Sequence, residues 1–263
     1  MIGKIKQSIK KRICGSVIPL VYAEEDLHPL EAIHEYHAYG LESVVIQVDA
    51  SACVINTGIA LDNHELQPRV KTLAWLSDSQ DQDPTKSPLQ IYHDHLRQLS
   101  VEERIGIERG AAPRMHAYDT GITVVTPWGR RSENIGKKAR ERLPAEKVER
   151  LKKTLDSIKK SGYDPENNGG HIKANILVDG KKYAVMTASG NHRSACLSYL
   201  GWKKIPVVVS RVINRDEAWA WPMVRKNVMK IDQAQACFDK LVAKQPIEPP
   251  LSDYLSPRIE YRS

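Results

Sequence analysis

No apolar run in the 263 residues approaches the roughly 20 needed to cross a bilayer, so a transmembrane helix is excluded. Cysteine is sparse and scattered: Cys14, Cys53, Cys196 and Cys237 form no CxxC pair and stand at no metal-ligand spacing. With no signal-peptide pattern either, reduced thiols in a cytoplasmic protein are expected. Phenylalanine is nearly missing, one residue against 10 Tyr and 5 Trp, a bias to which no chemistry attaches. Acid is missing from residues 1–13 (MIGKIKQSIKKRI), where Lys4, Lys6, Lys10, Lys11 and Arg12 stand alone. Those five charges are most of the net +7, leaving the other 250 residues near +2. A protein that coats DNA spreads its positive surface more widely, so nucleic acid is a poor partner on charge grounds. What remains is ordinary for a globular chain: 41% hydrophobic, 27% charged and mean hydropathy −0.45, enough for one sizeable core or two modest ones.

In the basic segment, residues 1–15, Ile2, Ile5, Ile9 and Ile13 recur at helical spacing between the lysines. The pattern predicts a short amphipathic helix, suited either to an anionic membrane surface at the inner face or to docking on the body of the protein. Residues 16–110 form an α/β extension, with a helix expected near Leu30–Tyr39, a strand at Ser43–Val48 and a polar linker over Ser77–Pro88. A further helix is expected at Leu89–Leu99, continued after a break by Val101–Gly110. Among His28, His34, His37, His64, His93 and His95, only His34 and His37 stand one helical turn apart. No acid or cysteine supports them at a ligand interval, so no metal site is assigned.

The second half punctuates itself clearly. Gly121–Thr126 is β-rich and ends at Pro127-Trp128-Gly129. Pro144 opens a helix whose Val148, Leu151, Leu155 and Ile158 share one face, and Gly162 closes it. Ile172–Val178 and Lys182–Met186 are strands joined by a tight turn at Asp179-Gly180, whose aspartate that turn explains. Ser189-Gly190-Asn191 begins a helix running to Leu200, Gly201 ends it, and Ile205–Val209 is another strand. The order strand, helix, hairpin, helix, strand describes an α+β domain over residues 115–212, a small mixed sheet with flanking helices, followed by a short helical tail at 213–263. In that tail a helix is expected near Asp232–Ala243.

At Thr187-Ala188-Ser189-Gly190 a strand turns directly into a helix, so free backbone N–H groups and the positive helix end converge. Gly190 allows close approach of a ligand, Arg193 offers a planar fork for phosphate oxygens, and His192 adds a donor. Ser189 or Asn191 is expected to cap the helix. An ordinary helix start with a surface arginine fits the same spacing equally well.

The stretch Gly190-Asn191-His192-Arg193-Ser194-Ala195-Cys196-Leu197-Ser198-Tyr199-Leu200-Gly201, followed by Ile205-Pro206-Val207-Val208, resembles the ParB/sulfiredoxin superfamily. The resemblance extends over about residues 119–210 and leaves residues 1–110 unaccounted for. It implies a phosphate-binding domain at Ser189–Arg193 and several possible chemistries. Sulfiredoxins carry a catalytic cysteine directly after the motif glycine, where this chain has Asn191; Cys196 stands where a small packing residue is expected. Chromosome-partitioning ParB proteins bind CTP through a glutamate-arginine pair, here replaced by Asn191 and His192. The roughly 50 residues after Ser210 do not read as the helix pair that would bind DNA. Free serine kinases of this fold end the motif in His-Arg, which His192-Arg193 matches most closely. The aspartate those kinases place before the glycine is Ser189 here. Similar ParB-like proteins with a proline-tryptophan after the first strand also occur in gene sets for bacterial surface polysaccharides.

That branch implies a nucleotide-dependent phosphotransferase acting on a small-molecule or saccharide hydroxyl, with ATP or ADP and Mg²⁺ as cofactors. The alternative is a non-catalytic ParB-like protein that binds nucleotide or nucleic acid. Phosphoryl transfer needs cations around the phosphates and a residue to orient the acceptor. Residues 129–153 hold ten Lys or Arg against four Glu, and Arg130 and Arg131 stand just past the first strand. Glu133 is the first candidate for base or Mg²⁺ ligand and Asp119 the second, with His192 beside the phosphates. Trp128 is a candidate to stack on the base, although a tryptophan beside a domain core more often serves packing.

Overall fold

The computed structural model describes residues 7–8, 20–22, 28–38, 44–78, 83–98, 126–128, 144–166 and 168–245. The strands are β1 (Gln7–Ser8), β2 (Leu20–Tyr22), β3 (Val44–Asp49), β4 (Cys53–Val54), β5 (Ile172–Asp179), β6 (Lys182–Ser189) and β7 (Lys204–Asn214). The helices are α1 (Pro29–Ala38), α2 (Pro68–Asp78), α3 (Pro88–Gln98), α4 (Pro144–Ser161), α5 (Asn191–Tyr199), α6 (Pro222–Arg225) and α7 (Ile231–Val242). The seven strands form one mixed sheet in the order β1-β2-β3-β7-β5-β6-β4, so the class is α+β.

The extension and the 115–212 segment share that sheet. β3 runs antiparallel to β7, from Val45↔Val208 to Asp49↔Lys204, and β4 runs parallel to β6 at Val54↔Met186. β5 lies at the centre, antiparallel to β6 and parallel to β7. In β6 the side chains alternate: Ala184 and Met186 enter one apolar cluster and Val185 the other. One face is covered by α1, α2, α4 and α5. There Val148, Leu151, Leu155 and Ile158 of α4 are all buried, as their spacing predicts. Each such burial contributes about 1.5–3 kcal/mol.

The other face is covered by α3 and α7. Phe238, completely buried, stacks on Trp221 at 5.6 Å, and Trp128 meets both edge-on at 5.2 and 5.8 Å. The 213–263 tail therefore supplies half of a core through α7 and the 3₁₀ turn at Arg215–Ala220. Arg215 of that turn holds Asp239 of α7 with a two-pronged ion pair at 2.6 and 2.9 Å.

Local punctuation follows the expected chemistry in most places. Gly180 takes φ +57 in the hairpin whose last pair is Asp179↔Lys182, at the central position where a left-handed residue is needed. In the polar linker, Pro84–Lys86 forms a 3₁₀ turn that Asp83 caps by accepting from Thr85 N. The basic segment departs from expectation. Gln7 and Ser8 belong to a strand, paired with Val21 and Leu20, rather than to a helix. The edge of β2 offers backbone groups that a two-residue pairing satisfies, which helical periodicity does not reveal. The rest of residues 1–13, Val101–Gly110 and Gly121–Val125 lie outside the described residues. No helix among the described residues is long and apolar enough to cross a membrane.

Candidate functional site

Four chain segments meet where β6 ends. β5 begins there, because it is antiparallel to β6; β7 begins there and β3 ends there, paired at Asp49↔Lys204; and the loop after β4 leaves there. α5 starts from this end of the sheet at Gly190, whose φ of +84 is left-handed. A Cβ on Gly190 would lie 3.0 Å from the Ile172 Cα and 3.0 Å from Arg193 Nη2. Glycine is thus required twice, by conformation and by space.

Gly190 occupies the N-cap position and has no side chain to cap the helix, which corrects the expectation that Ser189 or Asn191 does so. Asn191 is the first helical residue, and its Oδ1 accepts from Thr187 Oγ1 at 2.6 Å. Ser189 is exposed as the last residue of β6, opposite Lys173. His192 and Arg193 follow in the first turn, both partly buried. The first-turn N–H groups of α5 are therefore left without a cap from the N-cap side chain, at the positive end of the helix.

The Arg193 side chain folds back over this corner. Its guanidinium passes Gly190, and its Nη1 would lie 3.7 Å from a Cβ on Gly170. That Nη1 is buried and has no hydrogen-bond partner among the described residues. Burial holds the guanidinium below its ordinary value; Tyr163 opposes the shift and the charge of Arg150 adds to it. His171, which precedes β5, is also held below its ordinary value by burial first and by Arg193 second, against Asp164 and Glu166. The Tyr163 hydroxyl accepts from Ile172 N at 3.4 Å, and its ring meets Trp202 edge-on at 6.3 Å. Trp202 is 42% exposed.

The residues named from sequence are thus divided. Ser189, Gly190, Asn191, His192 and Arg193 are consecutive at one corner, while Arg130, Arg131, Glu133 and Asp119 lie outside the described residues. Trp128, at 3% exposure between Trp221 and Phe238, is committed to the core and cannot stack on a ligand. Sequence reading missed Gly170, His171, Tyr163 and Arg150, all contributed by α4 and the loop after it. The run Asn168-Gly169-Gly170-His171 carried the available signal, two glycines that both take positive φ (+84 and +96).

Two other expectations concern chemistry. Cys53, Cys196 and Cys237 are free and buried, and burial pushes each thiol up to about 12, so they are packing groups. Among the histidines, His64 Nε2 lies 3.1 Å from Ser198 Oγ, which itself donates to Leu61 O at 2.9 Å. His64 must then be the donor, and the pair pins the loop before α2 onto the back of α5. Among the described residues no group of three or more His, Cys, Asp or Glu is gathered as a metal cluster. The chain matches no family model, no curated protein and no solved structure with which it was compared.

Proposed function

We propose that the chain binds the phosphates of a nucleotide at the Gly190–Arg193 corner and transfers a phosphoryl group to a small-molecule or saccharide hydroxyl. The observation that carries this reading is the buried Arg193 Nη1, a charged donor without an acceptor among the described residues, beside a helix start that its N-cap glycine cannot cap with a side chain. A phosphate would supply the missing acceptor oxygen, take the first-turn N–H groups and relieve the charge burial together. The ParB/sulfiredoxin resemblance supports it with the same element order: strand, glycine, helix carrying Arg193, and the Ile205-Pro206 strand.

Mg²⁺, the usual companion of nucleotide phosphates, needs only one or two protein carboxylates. Asp164 and Glu166, within electrostatic reach of His171, are of the right type to hold it, and Glu133 and Asp119 remain the sequence candidates. The metal would neutralise developing charge on the phosphates. The chain's own contribution is to orient the phosphates with Arg193, beside which His171 at the rim is held below its ordinary value by burial and by the Arg193 charge. With Trp128 in the core, exposed Trp202 beside Tyr163 takes over as the surface on which a base would stack.

Isothermal titration of the full chain with ATP, ADP and CTP, each with Mg²⁺, tests the reading. At least one is expected to bind, and Arg193→Ala to abolish the heat. Absence of binding by every nucleoside di- and triphosphate overturns it. Binding without phosphate transfer to any hydroxyl acceptor would leave the non-catalytic alternative in its place.

A further inference from the structure

A second cation has a buried donor with no partner among the described residues. Arg69 stands in the first turn of α2, half-buried, and its Nε is buried with no hydrogen-bond partner among those residues. Gln67, completely buried, caps the same helix: its Oε1 accepts from Arg69 N at 2.7 Å and Val70 N at 3.4 Å. The other end of that amide, Nε2, donates to no group among the described residues.

α3 packs across α2 through Leu89 N, which donates to Thr72 Oγ1 at 2.9 Å. One turn back along α2 and one turn on along α3 bring Arg69 towards Tyr92. The two sense each other electrostatically, and burial holds the guanidinium below its ordinary value and the phenol above its own. Tyr92, at 3% exposure, shares a 3.0 Å hydrogen bond with Thr57 Oγ1, itself fully buried in the loop after β4. One of these two hydroxyls donates to the other, and the accepting one keeps its own proton to give elsewhere. Among the described residues the cluster therefore has donors in excess: Gln67 Nε2, Arg69 Nε and one hydroxyl. Buried charges are ordinarily paired, and buried donors ordinarily satisfied, so a group that is acceptor-only and negative is what the cluster lacks.

We propose that Gln67, Arg69, Tyr92 and Thr57 form a second oxyanion site, which takes a carboxylate or phosphate group between α2, α3 and the loop after β4. It is independent of the Arg193 corner, with which it shares no residue. It lies at the same end of the sheet, since β4 runs parallel to β6 and the Val54 carbonyl accepts from Thr187 Oγ1 at 3.4 Å.

The test is titration of the full chain with inorganic phosphate and, separately, with citrate, by calorimetry and thermal shift. Arg193→Ala is expected to retain a saturable response to at least one of them. Arg69→Met is expected to weaken that response roughly ten- to a hundredfold. Arg69→Met is also expected to melt no lower than the parent in anion-free buffer, because it removes a cation whose buried Nε has no partner among the described residues. Tyr92→Phe keeps the fold's shape and should weaken binding by a smaller factor, which decides the matter should Arg69→Met fail to fold. Response to phosphate alone or to citrate alone identifies the source of the oxyanion. No response of the parent to either, an unchanged response in Arg69→Met, or complete loss of response in Arg193→Ala would each overturn the proposal.

Discussion

Replacing Gly190 with alanine separates conformational cost from close approach, because the fold contains its own control. Gly190 has φ +84, and a Cβ there would meet the Ile172 Cα at 3.0 Å; Gly162 has φ +74 and nothing within 4 Å of the same atom. Left-handed backbone costs an L-residue about 1–2 kcal/mol, which both variants incur. Only Gly190→Ala adds crowding, against backbone of β5 that cannot swing aside as a side-chain tip would. Overpacking of that kind costs about 1–3 kcal/mol. The expected losses are therefore about 1–2 kcal/mol for Gly162→Ala and about 2–5 kcal/mol for Gly190→Ala. Urea titration followed by tryptophan fluorescence measures both, read as a change in midpoint at constant slope. Gly190→Ala should also displace Arg193, since its Nη2 lies at the same 3.0 Å. Equal losses for the two variants would refute the claim that space at Gly190, and not only its φ, is what glycine provides.

Phe238→Ala should cost about 3–5 kcal/mol, since it empties the centre of the Trp128–Trp221 pair. Trp219→Ala, at 67% exposure, should shift stability by no more than about 0.5 kcal/mol in the same urea titrations. His171 should titrate below 6.5 by nuclear magnetic resonance and move upward in Arg193→Ala or on addition of phosphate, because its second-largest perturbation is the Arg193 charge. The linked stability has a definite sign. The unfolded histidine takes up a proton below about 6.5 and the folded one only at lower pH, so stability falls as pH drops through 6.5 and towards the folded value. The neighbours that set this window are Arg193 and Lys173 on one side and Asp164 and Glu166 on the other. A His171 pKa at or above 6.5 would contradict the buried, cation-flanked placement.

Local rules made much of the second half legible. The apolar stripe of α4, the glycine that ends it, the Asp179-Gly180 hairpin and the start of α5 depend on contacts within a few residues, and periodicity and turn chemistry report such contacts directly. The Gly190–Arg193 corner was readable for the same reason, because strand, glycine and helix are consecutive. Its side-chain surroundings were not. Tyr163, Gly170 and His171 reach Arg193 only because β5 is antiparallel to β6, which brings the residues before Ile172 beside the residues after Ser189.

The same distinction explains the corrections. Trp128 reads as core more often than as a ligand platform, and its burial was decided by Phe238 and Trp221, about a hundred residues away along the chain. Gln7 and Ser8 sit in a helical pattern but pair with Leu20 and Val21, since an open strand edge outweighs a weak local preference. The 16–110 extension and the tail appear in sequence as additions to a domain, yet β3 and β4 complete the sheet and α7 covers one of its faces. Sequence by itself determined where the chain turns, which helix faces are apolar and where a phosphate-sized corner begins. Only tertiary structure decided that, among the described residues, buried nitrogens of Arg193 and Arg69 are left without partners, because burial and pairing are properties of distant segments meeting.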